Sequence, residues 1–354
     1  MQKAKIYDFF LGGSFGGGFR SLFSYSYDVH DGWRAFIIKG GPGTGKSTLM
    51  KKAANEGVKR NMTVERCFCS SDKKSLDAVI FPEIKTVIMD GTAPHVVEPA
   101  NPGVCESIVD VSSAWDTGTL RKRRTDILEL SKRCSACHKA AQNALLVCSV
   151  FRNASLQTTD KYIDTDKISN CARRLMSIAG KQEKGIQSKR LLSAVSGGGV
   201  HFFSDTIVNN FSTVITVEDR FSRCSELLFG AMNEKVCADN AKAYICFCSQ
   251  CPDKIEHILF PSSSIAFTSS NRFHSTEPGR VLHASRFMTK APDAQERREL
   301  FENEKKCALM INEAGSFISK AKTYHDELES CYISAVDFDK VDEITEKTIS
   351  KIFS

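Results

Sequence analysis

Short apolar runs separated by amphipathic segments dominate the first part of the chain. The run Ala35–Ile38 predicts a buried strand, and the segment Leu49–Ala54 that follows predicts a helix. A second strand is predicted at Val64–Ser70 and a third at Thr86–Met89, which is followed directly by Asp90. Strands that alternate with helices are typical of an α/β protein.

Beyond Trp115 the apolar positions recur with the spacing of a long helix. They alternate at four and three residues, and only Arg123 interrupts the series. The series consists of Leu120, Ile127, Leu130, Cys134, Cys137, Ala141, Ala144, Cys148 and Phe151. Such a seam predicts a coiled coil or a helical hairpin. The basic residues Arg121–Arg124 at its start are interpreted as a solvated face, with phosphate contact as the alternative.

Between the first strand and the first helix lies a glycine-rich loop that matches G-x-x-x-x-G-K-[ST]. Glycines let the backbone turn its N–H groups inward, and the helix that begins at Lys46 adds the positive end of its dipole. The loop predicts a site for nucleotide phosphates, with Lys46 at the β- and γ-phosphates and Ser47 at Mg²⁺. The predicted contacts are Gly40, Gly41, Pro42, Gly43, Thr44, Gly45, Lys46, Ser47 and Thr48.

Asp90 fits the second Mg²⁺ ligand, because a carboxylate at the end of an apolar strand lies beside such a loop. Gly91 stands where many ATPases place a catalytic glutamate, so the group that orients water comes from elsewhere. Asp72, His95 and Glu98 are the candidates. The alternative role of Asp72 is to cap the segment from Lys73 to Ala78. The alternative for His95 is a loop histidine bonded to backbone, and the alternative for Glu98 is a solvated charge. No N-K-x-D motif is present, which favours ATP over GTP.

The second half of the chain repeats the first. The string Cys67–Ser70 recurs as Cys246–Ser249, 179 residues later (246 − 67). The same offset relates Phe81-Pro82 to Phe260-Pro261, His95 to His274, and Glu98-Pro99 to Glu277-Pro278. The helical seam recurs 173 residues later (307 − 134), at Leu300, Cys307, Met310, Ala314, Phe317, Ala321 and Tyr324. The chain is therefore interpreted as two copies of one unit.

The second copy lacks the phosphate loop. An offset of 179 places Gly40–Ser47 on Asp219–Glu226, which contains no glycine and two carboxylates, and places Asp90 on Ser269. We expect only the first copy to bind nucleotide. The arginines Arg220, Arg223 and Arg272 are candidates to supply a cation to the first site, with surface arginines of no such role as the alternative.

Composition and charge narrow the class of protein. The chain has 354 residues, 42% of them hydrophobic, and no signal-peptide pattern or membrane-length apolar run, so we expect a cytoplasmic protein without a membrane partner. Its fourteen cysteines are expected to be reduced. The string Cys134–His138 matches a haem-attachment motif, but both cysteines fall on the seam and are interpreted as buried thiols. A net charge of +6 permits nucleic-acid contact without requiring it.

With these motifs in place, the chain resembles an uncharacterised bacterial family of tandem P-loop ATPases. The resemblance rests on Ile38–Met50, on Cys69–Asp72 with Ser75–Asp77, and on Met89–Val97. It extends over the whole chain and is strong over residues 34–103. It implies ATP binding and hydrolysis but no physiological substrate. Members carry a second P-loop, and this chain departs from that pattern at Asp219–Glu226.

We therefore expect two P-loop-like α/β/α sandwich domains, each with a helical hairpin, packed as an internal pseudo-dimer. The expected segments are a nucleotide domain at 1–115, a hairpin at 116–185, a degenerate domain at 186–290 and a hairpin at 291–354. The expected function is Mg²⁺-dependent binding and hydrolysis of ATP at the first loop. A small-molecule kinase and a nucleotide-gated binding protein with negligible turnover are the alternatives.

Overall fold

The computed structural model describes residues 4–276 and 279–354, and its chain divides into two compact units. The first unit contains the N-terminal residues up to Gly13, residues 21–141 and residues 316–354. The second contains residues 14–20 and 142–315. Both are mixed α/β structures whose sheets have mostly parallel strand pairs, as the sequence predicts. The repeat match at Glu277-Pro278 lies outside the described residues.

The strands of the first part of the chain follow the apolar runs. They are β1 Ile6–Phe10, β2 Gly12–Phe15, β3 Gly18–Ser21, β4 Arg34–Lys39, β5 Val64–Phe68, β6 Leu76–Phe81, β7 Thr86–Asp90 and β8 Glu106–Asp110. The sheet of the first unit has the order β1-β5-β6-β7-β4-β8, in which β4 is parallel to both β7 and β8. Helix α1, Lys46–Lys59, buries Leu49, Met50 and Ala53 against this sheet. The predicted strands at 35–38, 64–70 and 86–89 and the predicted helix are thus confirmed in position.

The helical seam forms two helices and not one. Helix α2, Thr117–Lys122, ends at Arg123, and α3 then extends over Arg124–Asp160. The break falls on the one residue that interrupts the apolar series. A shorter helix, α4 Thr165–Ala179, follows, with Asp164 capping its N-terminus through a hydrogen bond from the Lys167 N–H.

The second half of the chain has the same strand order as the first. Its elements are β9 Gln187–Leu191, β10 Ser193–Ser196, β11 Gly199–Phe202, α5 Ser204–Val208, β12 Thr213–Glu218, α6 Arg223–Ala238, β13 Ala243–Phe247, β14 Ile255–Phe260, β15 Ile265–Ser270, β16 Arg280–His283, α7 Ala294–Ile333 and α8 Phe338–Ile352. The sheet of the second unit runs β9-β13-β14-β15-β12-β16. Each strand stands where its counterpart stands in the first unit.

Helices α4 and α8 each pack in the other unit from the one whose strands precede them in the sequence. Helix α4 follows the first nucleotide-type segment along the chain, yet Leu175 packs with Leu228 and Phe229 in the core of the second unit. Helix α8 follows the second segment, yet Ile352 packs with Leu49 in the core of the first unit. The compact units thus combine segments that are far apart in the sequence.

The glycine-rich segment Gly12–Gly18 contains β2 and the start of β3, and 3₁₀ turns follow. The segment Lys73–Ala78, which Asp72 was expected to cap, is a turn followed by the first three residues of β6, and Asp72 accepts a hydrogen bond from the Lys74 N–H in that turn. Within residues 4–276 and 279–354, no helix is long and apolar enough to cross a membrane.

Candidate functional site

The phosphate-type loop connects β4 to α1 at the carboxyl edge of the first sheet. Gly43 and Gly45 have φ values of 69° and 82°, in the left-handed region that glycine adopts at low cost. Buried Thr44 closes the loop by donating its hydroxyl to the Gly41 carbonyl oxygen at 2.7 Å. Pro42 is half-buried and Thr48 is exposed in the first turn of α1. The loop therefore has the backbone form that inward-facing N–H groups require.

Lys46 and Asp90 come together beneath this loop. The Lys46 Nζ donates to the carbonyl oxygens of Gly40 and Gly41, at 2.9 and 2.7 Å, and lies 3.5 Å from Asp90 Oδ2. The parallel register pairs Ile38 with Asp90, which brings the end of β7 beside the start of the loop. The other carboxylate oxygen of Asp90 accepts hydrogen bonds from the Thr92 N–H and hydroxyl. This arrangement combines a lysine ammonium held by loop carbonyl oxygens with a carboxylate anchored by Thr92.

Ser47 occupies the first turn of α1, where its hydroxyl oxygen accepts a hydrogen bond from the Leu76 N–H at 3.0 Å. Hydroxyl and carboxylate oxygens are ligands that Mg²⁺ prefers. The Ser47 hydroxyl and the Asp90 carboxylate of the first unit thus have the chemistry to bind a hard cation such as Mg²⁺ beside bound phosphates.

A buried carboxylate that the sequence analysis named only within a motif lies close to Lys46. Asp77 is an extra residue in β6, because Cys67 pairs with Ala78 while Phe68 pairs with Leu76. Such a bulge re-aims a side chain. Burial raises the pKa of Asp77, and the nearby charge of Asp90 raises it further. A lone aspartate inside the apolar run Leu76–Phe81 was the available signal.

His95 lies beside Asp77, with 3.9 Å between its Nε2 atom and Asp77 Oδ1. Its ring stacks on Phe23, with 4.6 Å between the ring centres. Burial lowers the pKa of His95, which favours the neutral imidazole at neutral pH. An aspartate and a neutral imidazole in this position are groups that can orient a water molecule.

The other two candidates make different contacts. The Asp72 carboxylate accepts a hydrogen bond from the Lys74 N–H at 3.0 Å and forms an ion pair of 3.4 Å with Lys322. Glu98 has a side chain that is 69% exposed and forms a 2.6 Å ion pair with Lys39. Of the three, His95 is the candidate whose 3.9 Å contact with Asp77 is within ion-pair distance, while Asp72 acts on Asp77 from farther away.

Helices α7 and α8 pack against the loop. A Cβ atom added at Gly41 would lie 2.7 Å from the Tyr332 ring, and one at Gly43 would lie 2.9 Å from the Glu329 carbonyl oxygen. A Cβ atom at Gly45 would lie 3.0 Å from Val341. The loop glycines therefore also allow these helices to approach.

Glu329 additionally makes a polar contact with the loop. Its carboxylate lies 3.5 Å from the His325 Nε2 atom. This contact, with a smaller contribution from the backbone of Gly43, lowers the pKa of Glu329. The hydrogen bonds of His325 to Cys134 and Glu329 raise its pKa to about 9. Because the two residues are distant from the loop in sequence, no local pattern could have predicted this contact.

The corresponding loop of the second unit differs in length and chemistry. β12 ends at Glu218 and α6 begins at Arg223, so four residues replace the six that separate β4 from α1. Helix α6 therefore begins two residues earlier than the ungapped projection from Lys46 indicates. The Asp219 carboxylate accepts a hydrogen bond from the Ser225 N–H at 2.8 Å. A carboxylate of the chain itself thus occupies the N-terminus of this helix.

A second buried polar cluster lies on β14 of the second unit. Glu256 is an extra residue opposite β13, as Asp77 is in the first unit, and its carboxylate lies 3.8 Å from His257 Nε2 and 4.0 Å from His274 Nε2. Glutamate and two histidines are donors that Zn²⁺ accepts. Burial opposes ionisation of Glu256, but the charges of Lys254 and Arg152 favour it, and its pKa is lowered. Burial also lowers the pKa values of His257 and His274, which favours their neutral forms. Buried Lys254, 3.8 Å away, already balances this carboxylate, which weakens the case for a divalent cation.

Comparisons with protein-family models, with curated proteins and with solved structures find no match to this chain.

Proposed function

We propose that the first unit binds Mg·ATP and hydrolyses it, and that the chain belongs to the P-loop class of nucleotide-binding proteins. The observation that supports this most directly is the position of Lys46 and Asp90, 3.5 Å apart under a loop with left-handed Gly43 and Gly45. This combination of cation, carboxylate and inward N–H groups suits a polyphosphate with its metal. In this proposal the second unit does not bind phosphate, because the Asp219 carboxylate already accepts a hydrogen bond from the Ser225 N–H at the N-terminus of α6.

In this proposal the chain's own groups divide the work. The loop N–H groups hold the β-phosphate, and the Lys46 ammonium exchanges the carbonyl oxygens of Gly40 and Gly41 for phosphate oxygens. Ser47 and Asp90 hold Mg²⁺, which would offset the charge that develops at the transferred phosphate. Asp77 and His95 orient the attacking water, and so replace the glutamate that is absent at Gly91.

The test is titration calorimetry with Mg·ATP, together with measurement of released phosphate. Lys46→Ala is expected to abolish both uptake and release. The matched control is Lys52→Ala, because Lys52 lies on the same helix but is exposed and paired with Asp342. If Lys46→Ala takes up nucleotide as the parent does, the proposed site is wrong.

The helix cover on the loop favours a second candidate function, a nucleotide-gated binding protein. In this function, a triphosphate that uses the Gly43 N–H competes with the Glu329 carboxylate, and its binding loosens the adjoining turn of α7. Hydrogen exchange with a non-hydrolysable ATP analogue tests this function. Faster exchange in residues 322–333 together with negligible turnover supports gating, whereas unchanged exchange excludes it.

A further inference from the structure

The second unit contains a small polar cavity beside the loop that connects β12 to α6. Its volume is about 40 Å³, and its polar lining includes Arg152, Ser155, Arg220, Ser222, Gln250 and Asn271. One water needs about 10–15 Å³ measured in this way, so the cavity has room for about three waters or for one small tetrahedral anion. It is too small for a nucleotide.

Arg152, on α3, presents buried donors without acceptors. Its Nη1 atom bonds weakly to Cys248 Sγ at 3.5 Å and to Gln250 Oε1 at 3.4 Å. Its Nε and Nη2 atoms are buried and have no hydrogen-bond partner. Among the described residues, no carboxylate lies within ion-pair distance of this guanidinium. The Glu256 carboxylate acts on this charge from beyond that distance. Two buried N–H groups without an acceptor are nevertheless costly, so this side of the guanidinium calls for an added acceptor such as an anion.

The other charges around the cavity do not supply that anion. Glu304 is the acidic residue of the lining, and it already accepts two hydrogen bonds from Arg220, at 2.9 and 2.6 Å. Arg272 adds a third contact to the same carboxylate at 3.3 Å. Arg223 is engaged by Asp160 and by Glu226. The guanidinium groups of Arg152, Arg220 and Arg272 therefore carry more positive charge than the single Glu304 carboxylate balances.

The internal repeat shows what is missing. The offset of 173 that relates the two helical seams places Arg152 at the position of His325. In the first unit, Glu329 provides the carboxylate next to His325. The same offset places Leu156 at the position of Glu329, so α3 keeps a cation and lacks the internal acceptor.

We propose that this cavity binds a small oxyanion of the phosphate class, held by the free side of the Arg152 guanidinium and by neighbouring hydroxyl and amide groups. An arginine fork presents two parallel N–H donors, which match two oxygens of such an anion. This site uses side chains and not a loop of backbone N–H groups. It does not depend on the proposed ATPase activity of the first unit.

The test uses the full-length chain with Lys46→Ala, so that phosphate bound by the first unit does not contribute. Inorganic phosphate is titrated by calorimetry and by thermal unfolding, with sodium chloride of equal ionic strength as the salt control. Phosphate is expected to raise the unfolding midpoint, and adding Arg152→Gln is expected to weaken binding at least tenfold. Arg173→Gln, which changes an exposed arginine of the same unit, is the matched control and is expected to bind as the parent does.

A readout without phosphate separates a binding role from a structural one. If Arg152 is an uncompensated charge, Arg152→Gln leaves the unfolding midpoint equal to or above that of the parent. If it serves packing alone, the midpoint falls and phosphate has no effect on the parent. Should Arg152→Gln fail to fold, Arg152→Lys keeps the charge without the fork and is expected to weaken binding severalfold. Absence of phosphate uptake by the Lys46→Ala parent overturns the proposal.

Discussion

The contact between Glu329 and the phosphate-type loop predicts that the protein restrains its own nucleotide affinity. The backbone of Gly43 helps to lower the pKa of the Glu329 carboxylate, which therefore interacts with an N–H that the proposed ATP site also needs. Glu329→Gln preserves the shape of the side chain and removes its charge. We expect the variant to bind Mg·ATP more tightly than the parent.

The size of the effect follows from the contact. The interaction of this carboxylate with the Gly43 N–H contributes at most the ~1.5–3 kcal/mol of a hydrogen bond to a charged group. The Glu329 side chain is 37% exposed, so solvent screening reduces this contribution to about 1 kcal/mol. Since 1.4 kcal/mol corresponds to a tenfold change in affinity, Kd should fall about fivefold.

The assay is calorimetric titration of Mg·ATP at constant ionic strength. Glu327→Gln is the control, because Glu327 is exposed on the same helix and its substitution removes the same charge from the chain. The control is expected to leave Kd unchanged. A Kd for Glu329→Gln that equals or exceeds that of the parent would refute the competition, and a higher value would mean that Glu329 assists binding.

Three further predictions concern pH, catalysis and packing. The pKa of His325 is raised to about 9 when the helices cover the loop. The ionic contact of His325 with Glu329 is therefore complete below about pH 6.5, the usual pKa of histidine, and is lost as pH rises through 9. Mg·ATP affinity should rise between these pH values, and the rise should be absent in His325→Asn. Burial raises the pKa of Asp77, so Asp77→Asn should raise the unfolding midpoint at pH 7 while it lowers kcat by about 10²–10⁴-fold, and unchanged turnover would remove Asp77 from the mechanism. On α4, Leu175→Ala should cost about 2–5 kcal/mol of unfolding free energy, because Leu175 is 2% exposed, whereas Ile178→Ala, at a position 44% exposed, should cost less than about 0.5 kcal/mol in denaturant titrations.

The strands, the first helix and the glycine loop of the first unit could be predicted, because each follows from a pattern of neighbouring residues. The apolar runs at Ala35–Ile38 and Thr86–Met89, with the glycine loop between strand and helix, place Lys46 and Asp90 at one edge of a parallel sheet. The break at Arg123 was also visible, since it interrupts the apolar series at the point where α2 ends.

The surroundings of the site could not be predicted in the same way. The bulge that re-aims Asp77 depends on the pairing of β5 with β6, which no single strand encodes. The contact of Glu329 with Gly43 joins residues that lie far apart in the sequence. The shortened loop before α6 escaped notice because an ungapped repeat register does not detect a deletion of two residues.

The placement of α8 in the first unit affects how the protein is made. A ribosome synthesises Gly40–Ser47 early, with the strand and helix that hold the loop. Tyr332, Glu329 and Val341, the neighbours of that loop, emerge only with residues 316–354. Until then the glycine loop of the nascent chain lacks these neighbours. If the loop binds nucleotide as proposed, the site is open during synthesis, before the helices that cover it can fold onto it.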